Sequence, residues 1–155
     1  MTTASPRAHV IVIGGGATGA GVAHDLALRG LHVTLLERGE LTSGTTGRHH
    51  GVLHSGGRYA VSDKESAVEC IKENQIIRRI APGSFEENGG LFAAVTDEDM
   101  DYLSSFLDSC AACDIPTVVH KREETLALEP NINPDVKLSV EVPDATVDPM
   151  RTPWW

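Results

Sequence analysis

The alternation of apolar and polar residues changes period several times along this chain, and each change marks an element. His9-Val-Ile-Val-Ile13 is a short, β-branched run that stops at glycines, the pattern of a fully buried parallel strand. Residues 17–29 read as a helix, and Gly30 stands where a helix ends in the left-handed conformation. His32-Val-Thr-Leu-Leu36 predicts a second strand. Residues 40–60 are rich in Gly, Ser, Thr and His and lose all period. A loop that long inside a compact domain is functional or disordered.

Beyond the loop, Ser62 and Glu65 have capping-box spacing. They predict a helix to about residue 81, with Val68, Ile71, Ile77 and Ile80 toward a core and Pro82-Gly83 ending it. A strand over 91–95, a helix over 97–112, a strand over 117–119 and a short helix over 122–128 follow, and 136–142 alternates like a strand. No internal repeat or low-complexity segment interrupts this order. No run approaches the roughly 20 apolar residues that cross a bilayer. Met1 to Arg7 lacks the apolar core of a secretory signal, so the expected location is the cytoplasm.

Charge narrows the partners. The net charge of −9 lies wholly in the second half, since residues 1–75 balance seven basic against seven acidic side chains. With no basic stripe to neutralise phosphates, nucleic acid is excluded as a partner, and the acidity reads as a solvated surface. Three cysteines make no disulfide framework. Cys110 and Cys113 form a C-x-x-C, which is open to redox or metal chemistry, but no second ligand pair exists. Met100, Leu103, Leu107 and Cys110 also follow helical spacing, which makes Cys110 a packing residue and leaves metal ligation without support.

Gly14-Gly15-Gly16-Ala-Thr18-Gly19 is a G-x-G-x-x-G set between strand and helix, the context in which that pattern holds a dinucleotide. Gly14 permits the tight turn, Gly16 lets backbone approach a pyrophosphate, and Gly19 allows close helix–strand packing. The helix N-terminus presents amides and a positive dipole end to the phosphates. Glu37 closes the second strand, where a carboxylate accepts from ribose hydroxyls and repels a 2′-phosphate. The turn alone does not separate FAD from NAD.

The loop that follows separates them. The stretches IGGGATGAG (13–21), TGRHHGVLHSGGRYA (46–60), ENQI (73–76) and VPDATVDPMR (142–151) resemble those of the flavin-dependent glycerol-3-phosphate dehydrogenases. Within the amino-acid-oxidase-like flavoproteins, the nearest likeness is to catalytic A subunits of the anaerobic type. The resemblance implies FAD as cofactor, with Thr45, Thr46 and the backbone around His50 and Gly51 lining the flavin. Gly15, Thr18 and Arg38 complete the candidate cofactor set. It further implies that His54, Arg58 and Tyr59 face the substrate, glycerol 3-phosphate, with Arg58 and Tyr59 gripping its phosphate. A guanidinium suits a phosphate dianion, a phenol adds a neutral donor, and an imidazole can accept the proton of the C2 hydroxyl. Three histidines crowd this loop, and only geometry selects a base. His49 and His50 read as scaffold, and Arg48 as either a partner of cofactor phosphate or a side chain with no partner.

The fold class expected is α/β: a Rossmann-like FAD-binding βαβ unit plus the beginning of a mixed α+β substrate domain, truncated. The boundaries expected are 1–90 for the cofactor part, 91–151 for the start of the substrate region and 152–155 for an atypical tail. Thr152-Pro-Trp-Trp has no helix-forming logic. Members of the resembled family run several hundred residues further, so the expectation is an N-terminal portion with little activity alone and incompletely covered apolar sheet faces. In the intact enzyme, electrons would pass to quinone through membrane-associated partner subunits on the inner face of the plasma membrane. The rival readings are an FAD-dependent oxidase or dehydrogenase of an amino or 2-hydroxy acid, and a non-catalytic nucleotide-binding module.

Overall fold

The computed structural model describes residues 8–154. The stretch read for a targeting signal, Met1 to Arg7, and the final Trp155 lie outside the described residues. The chain forms two compact units, one of residues 1–51 with 147–155, the other of residues 52–146. The boundary expected at residue 90 falls inside the second unit, within a strand.

In the first unit, β1 (His9–Ile13) and β2 (His32–Leu36) pair in parallel, His9 opposite His32 and Ile13 opposite Leu36, and α1 (Ala17–Leu28) connects them. Val10, Val12, Val33 and Leu35 are half-buried on one sheet face, and a Cβ on Gly19 of α1 would touch Val12. The opposite face carries Ile11, Ile13 and Leu36, which are 58%, 86% and 51% exposed. The run over 9–13 is therefore not the fully buried strand its composition predicts. A single helix covers a single face, and strand side chains alternate between the two. The uncovered apolar face matches the expectation for a parallel sheet without its second helix layer.

α1 ends as predicted, with Gly30 at φ 79°. At the far end of the chain, Thr152–Trp154 forms a 3-10 turn, although no helical structure was expected there. One turn needs only local acceptors, and the Asp148 carbonyl takes the amides of Arg151 and Thr152 at 3.2 Å each. Pro153 tolerates that geometry because an amide so early in a turn needs no partner.

The second unit holds the core. It comprises β3 (Val52–Leu53), α2 (Lys64–Ile80), β4 (Phe85–Glu86), β5 (Gly90–Ala94), α3 (Asp97–Ala112), β6 (Val118–Lys121), α4 (Arg122–Leu128), β7 (Leu138–Val142) and β8 (Ala145–Val147), the last residue of which belongs to the first unit. The strands form two sheets, ordered β3-β8-β4 and β5-β7-β6, and β7 runs antiparallel to both its neighbours. Ile71, Phe106, Cys110, Cys113, Ile115, Val140 and Val142 make the buried cluster. β7 does not alternate as predicted, because Ser139, Val140 and Val142 are all buried. Val140 joins the apolar cluster, while Ser139 accepts or donates at 2.9 Å to the buried Thr125 hydroxyl of α4.

α3 begins where its spacing predicts, with Thr96 accepting from Asp99 N and Asp99 reaching back to the Thr96 amide. α2 begins one residue later than its expected box. Asp63, not Ser62, caps it, accepting from the Ser66 amide at 3.1 Å and the Ser66 hydroxyl at 2.7 Å. A carboxylate is the stronger acceptor at a helix N-terminus. Of the four residues expected to face the core, Ile71 is buried and Ile80 is 45% exposed at the helix end. Cys110 and Cys113 are free and buried in the cluster, and burial pushes the Cys110 thiol up to about 11, the behaviour of packing residues.

Candidate functional site

The glycine turn adopts the geometry its sequence demands. Gly14 sits at φ 107°, a conformation that L side chains rarely adopt, and its amide donates to the Leu36 carbonyl at 2.8 Å. A Cβ on Gly19 would collide with the Gly14 carbonyl oxygen, so that glycine is what lets α1 start so close to β1. Gly16 is the N-cap of α1, offers no side-chain cap, and no acidic side chain occupies the first turn. The α1 N-terminus, with Thr18 exposed on its first turn, is left to oxygen acceptors from elsewhere.

Glu37 is tied to this turn. Its two carboxylate oxygens accept from Gly15 N at 2.7 Å and from Gly39 N at 2.8 Å. Those amides hold the carboxyl below its ordinary value of 4.5. Each oxygen retains a lone pair for a second donor, which is what a ribose hydroxyl requires.

Residues 42–48 fold back over the turn. Thr42 is buried at φ 64°, strained for a β-branched residue, with its amide donating to the Gly15 carbonyl at 3.1 Å and its carbonyl accepting from Gly47 N at 2.9 Å. Thr45–Arg48 then forms a 3-10 turn, and the Thr46 hydroxyl accepts from Ala17 N at 3.0 Å. That hydroxyl stands in for an oxygen ligand on the first amide of α1. Gly16, Glu37, Arg38, Thr45, Thr46 and Arg48 line a cavity of about 400 Å³ together with residues 42–44. Two guanidinium side chains, hydroxyls and a helix N-terminus as donors, with a carboxylate as acceptor, are the set that an adenosine diphosphate needs, and the cavity fits that half of FAD.

His50 and Gly51 lie outside that lining. The His49 Nδ1 accepts from Gly51 N at 2.8 Å, which gives His49 the scaffold role expected of it. Gly51 at φ 73° accepts from Val147 N at 2.8 Å.

In the second unit, His54 follows β3 and Arg58 and Tyr59 stand on the 3-10 turn Gly57–Tyr59. Gly56 at φ 92° begins that turn, packed so closely on the Ala67 backbone of α2 that no Cβ fits. Arg58 is exposed and Tyr59 is 41% exposed. Among the described residues no acidic side chain pairs with Arg58. His54 is half-buried, and its Nδ1 lies 3.3 Å from the Asp144 carboxylate.

Sequence reasoning missed Asp144 and Asn74, although both sit inside stretches that carry the family resemblance. The Asn74 signal was present in the spacing. Ala67, Ile71, Asn74 and Arg78 share one face of α2, so a polar pair sits in line with two core residues. Asp144 offered no such signal, because its partners are some 90 residues away in sequence.

Comparison with known proteins bears on both units. Residues 9–155 match the DAO family profile, described as FAD dependent oxidoreductase. The chain is 54% identical over 142 residues to the A1 chain of the anaerobic glycerol-3-phosphate dehydrogenase of Haloferax volcanii, covering 92% of this chain and 24% of that protein. It is 49% identical over 150 residues to the corresponding anaerobic glycerol-3-phosphate dehydrogenase chain of Escherichia coli K12, covering 97% of this chain and 28% of that one. Thus the chain spans about a quarter of the length of the curated relatives it matches. Among solved structures, FAD-bound L-alpha-glycerophosphate oxidase from Mycoplasma pneumoniae superposes with a TM-score of 0.73 at 23% identity, over 96% of this chain and 40% of that one, which establishes a shared fold.

Proposed function

This chain belongs to the DAO family of FAD-dependent oxidoreductases, and from that premise we propose that it supplies the ADP-binding turn and the substrate-side loop of a quinone-linked glycerol-3-phosphate dehydrogenase. The observation that carries the proposal is Arg58, an exposed guanidinium with no acidic partner among the described residues, one position before Tyr59 and four after His54. A guanidinium left open in this way binds a phosphate dianion, and the neighbouring phenol adds a neutral donor. The names of the two relatives, both dehydrogenases of glycerol 3-phosphate, support the same substrate.

The chemistry divides between the units. The cavity at the glycine turn binds the ADP half of the cofactor, with Arg38 and Arg48 placed for its charge and Glu37 for its ribose. FAD, when bound, supplies the acceptor for the hydride of the substrate C2. Arg58 and Tyr59 hold the substrate phosphate, and the His54 imidazole takes the hydroxyl proton as the ketone of dihydroxyacetone phosphate forms. The proposal extends to delivery of electrons to quinone through partner subunits. It also extends to a cytoplasmic protein attached to the inner face of the plasma membrane by them. Both relatives are named as one subunit of their enzymes, which supports that part. No helix among the described residues is long and apolar enough to cross a membrane.

The test replaces the matching segment of the Escherichia coli relative with these residues and measures acceptor reduction by glycerol 3-phosphate. Retained turnover is expected, with Arg58→Ala raising KM on the order of tenfold to a hundredfold, as befits a lost charge-assisted hydrogen bond. Equal turnover of a phosphate-free alcohol or an amino acid, or indifference to Arg58→Ala, would overturn the proposal. The 155-residue chain alone is expected to bind FAD weakly and to give little turnover.

A further inference from the structure

Residues 73–76 and 142–151 take no part in the function proposed above, and the structure joins them at His54. Asn74 is 1% exposed within α2, where a buried amide is costly unless it finds partners. Its Nδ2 faces three carbonyls, those of Leu53 at 3.3 Å, His54 at 3.2 Å and Pro143 at 3.2 Å. Its Oδ1 accepts from Arg78 Nε at 2.6 Å, and Arg78 also donates to the Pro143 carbonyl at 2.9 Å and pairs with Glu87. Helix α2 thereby brackets the backbone on either side, holding the segment that carries His54 against the turn that carries Asp144.

Asp144 completes the bracket. One carboxylate oxygen accepts from the buried Ser55 amide at 2.6 Å, and the other lies 3.3 Å from His54 Nδ1. The Asp144 side chain is 14% exposed against 41% for His54. An ionised carboxylate only accepts, so His54 Nδ1 is the donor and carries the proton. The other ring nitrogen, Nε2, is then the basic one.

We propose that Asp144 is the positioning residue of His54, fixing its ring and its Nδ1-protonated tautomer so that Nε2 takes the proton of the substrate hydroxyl. This rests on the reading of His54 as the base. In the step, the hydroxyl proton passes to Nε2 as the C2–O single bond becomes the carbonyl, and FAD, once held, would supply the acceptor that the C2 hydride needs. The imidazolium that results lies against the Asp144 carboxylate, which stabilises it.

The experiment is nitrogen-15 spectroscopy of the histidine rings in the 155-residue chain, at a pH where they are neutral, with His54→Gln identifying the resonance by its loss. The unmodified chain is expected to show His54 protonated at Nδ1, and a ring protonated at Nε2 would overturn the proposal without any mutant. The isosteric Asp144→Asn variant keeps an acceptor for Ser55 N and loses the charge. It is expected to convert His54 to a mixture of tautomers and leave His120, held by Glu141 at 2.6 Å, unmoved. An unchanged His54 spectrum would likewise overturn it. In the chimeric dehydrogenase, Asp144→Asn is expected to lower kcat by about 10- to 100-fold, the range for lost partners that orient a histidine, with KM unchanged. Full kcat in His54→Gln, beside an Nδ1-protonated ring in the chain, would sink the assignment of His54 as base and leave the Asp144 contact standing.

Discussion

The unit that carries the glycine turn and the unit that carries His54, Arg58 and Tyr59 are each organised by a different force. Every buried apolar side chain among the described residues lies between Ala60 and Ala145, in the second unit. The first unit has none, and α1 buries no residue at all. What organises the first unit is hydrogen bonding to backbone, from the Glu37 carboxylate to two amides and from Ala17 N to the Thr46 hydroxyl. Hydrogen bonds contribute about 1 kcal/mol each on balance, whereas a well-packed core side chain contributes several times that. The glycine turn is therefore fixed by polar contacts, in a unit with no buried apolar side chain among its described residues.

The largest effect that would sharpen this contrast is at Phe106, 6% exposed, with its ring centroid 4.9 Å from that of Phe92. Phe106→Ala is expected to destabilise the second unit by about 3–5 kcal/mol in urea unfolding. Leu35→Ala on the half-buried sheet of the first unit is expected to cost far less, and equal losses would break the contrast. Gly19→Ala should act on the first unit alone. Its Cβ collides with the Gly14 carbonyl, so a strain of about 1–3 kcal/mol is expected, read as weakened FAD binding with the unfolding midpoint of the second unit unmoved. Thr96→Ala removes the α3 cap and is expected to cost about 1 kcal/mol in the second unit only.

The smallest effects are expected at opposite ends of the pH scale. Glu37 is held below 4.5 in the folded chain by the Gly15 and Gly39 amides. Its contribution is present above that ordinary value and is lost as pH falls through the folded one, because the unfolded chain then binds the proton more readily. Protection of the Gly15 amide, its exchange rate taken relative to that of an unstructured amide at the same pH, should drop in acid, and Glu37→Gln should abolish that step. Cys110 runs the other way, rising from 9.0 to about 11 through burial. Its contribution is intact below pH 9 and is lost as pH rises toward 11, so alkylation of Cys110 should begin only as the second unit opens.

Much of the local structure was legible from spacing. The glycine turn, the Gly30 stop, the helix over Asp97–Ala112 and the short helix over Arg122–Leu128 all follow from residues within a few positions of one another. The strands Val52–Leu53, Phe85–Glu86 and Ala145–Val147 were not, because two or three residues carry no period and such pairings depend on distant partners. The candidate site divides in the same way. The conformation of the glycine turn could be read residue by residue. The hold of Asp144 on His54 could not, since several histidines in one loop are chemically alike until a neighbour is brought up to one of them.

By itself the sequence determined where backbone must turn without side chains, which helices start and stop, and which family the motifs belong to. These are matters of local sterics, capping and composition. Tertiary structure alone decided which apolar face of β1 and β2 stays exposed, that of Ile11, Ile13 and Leu36, and that Asn74 and Asp144 both reach His54, one at its carbonyl and the other at its ring. Burial and convergence depend on which distant segments arrive at the same place, and no period along the chain encodes that.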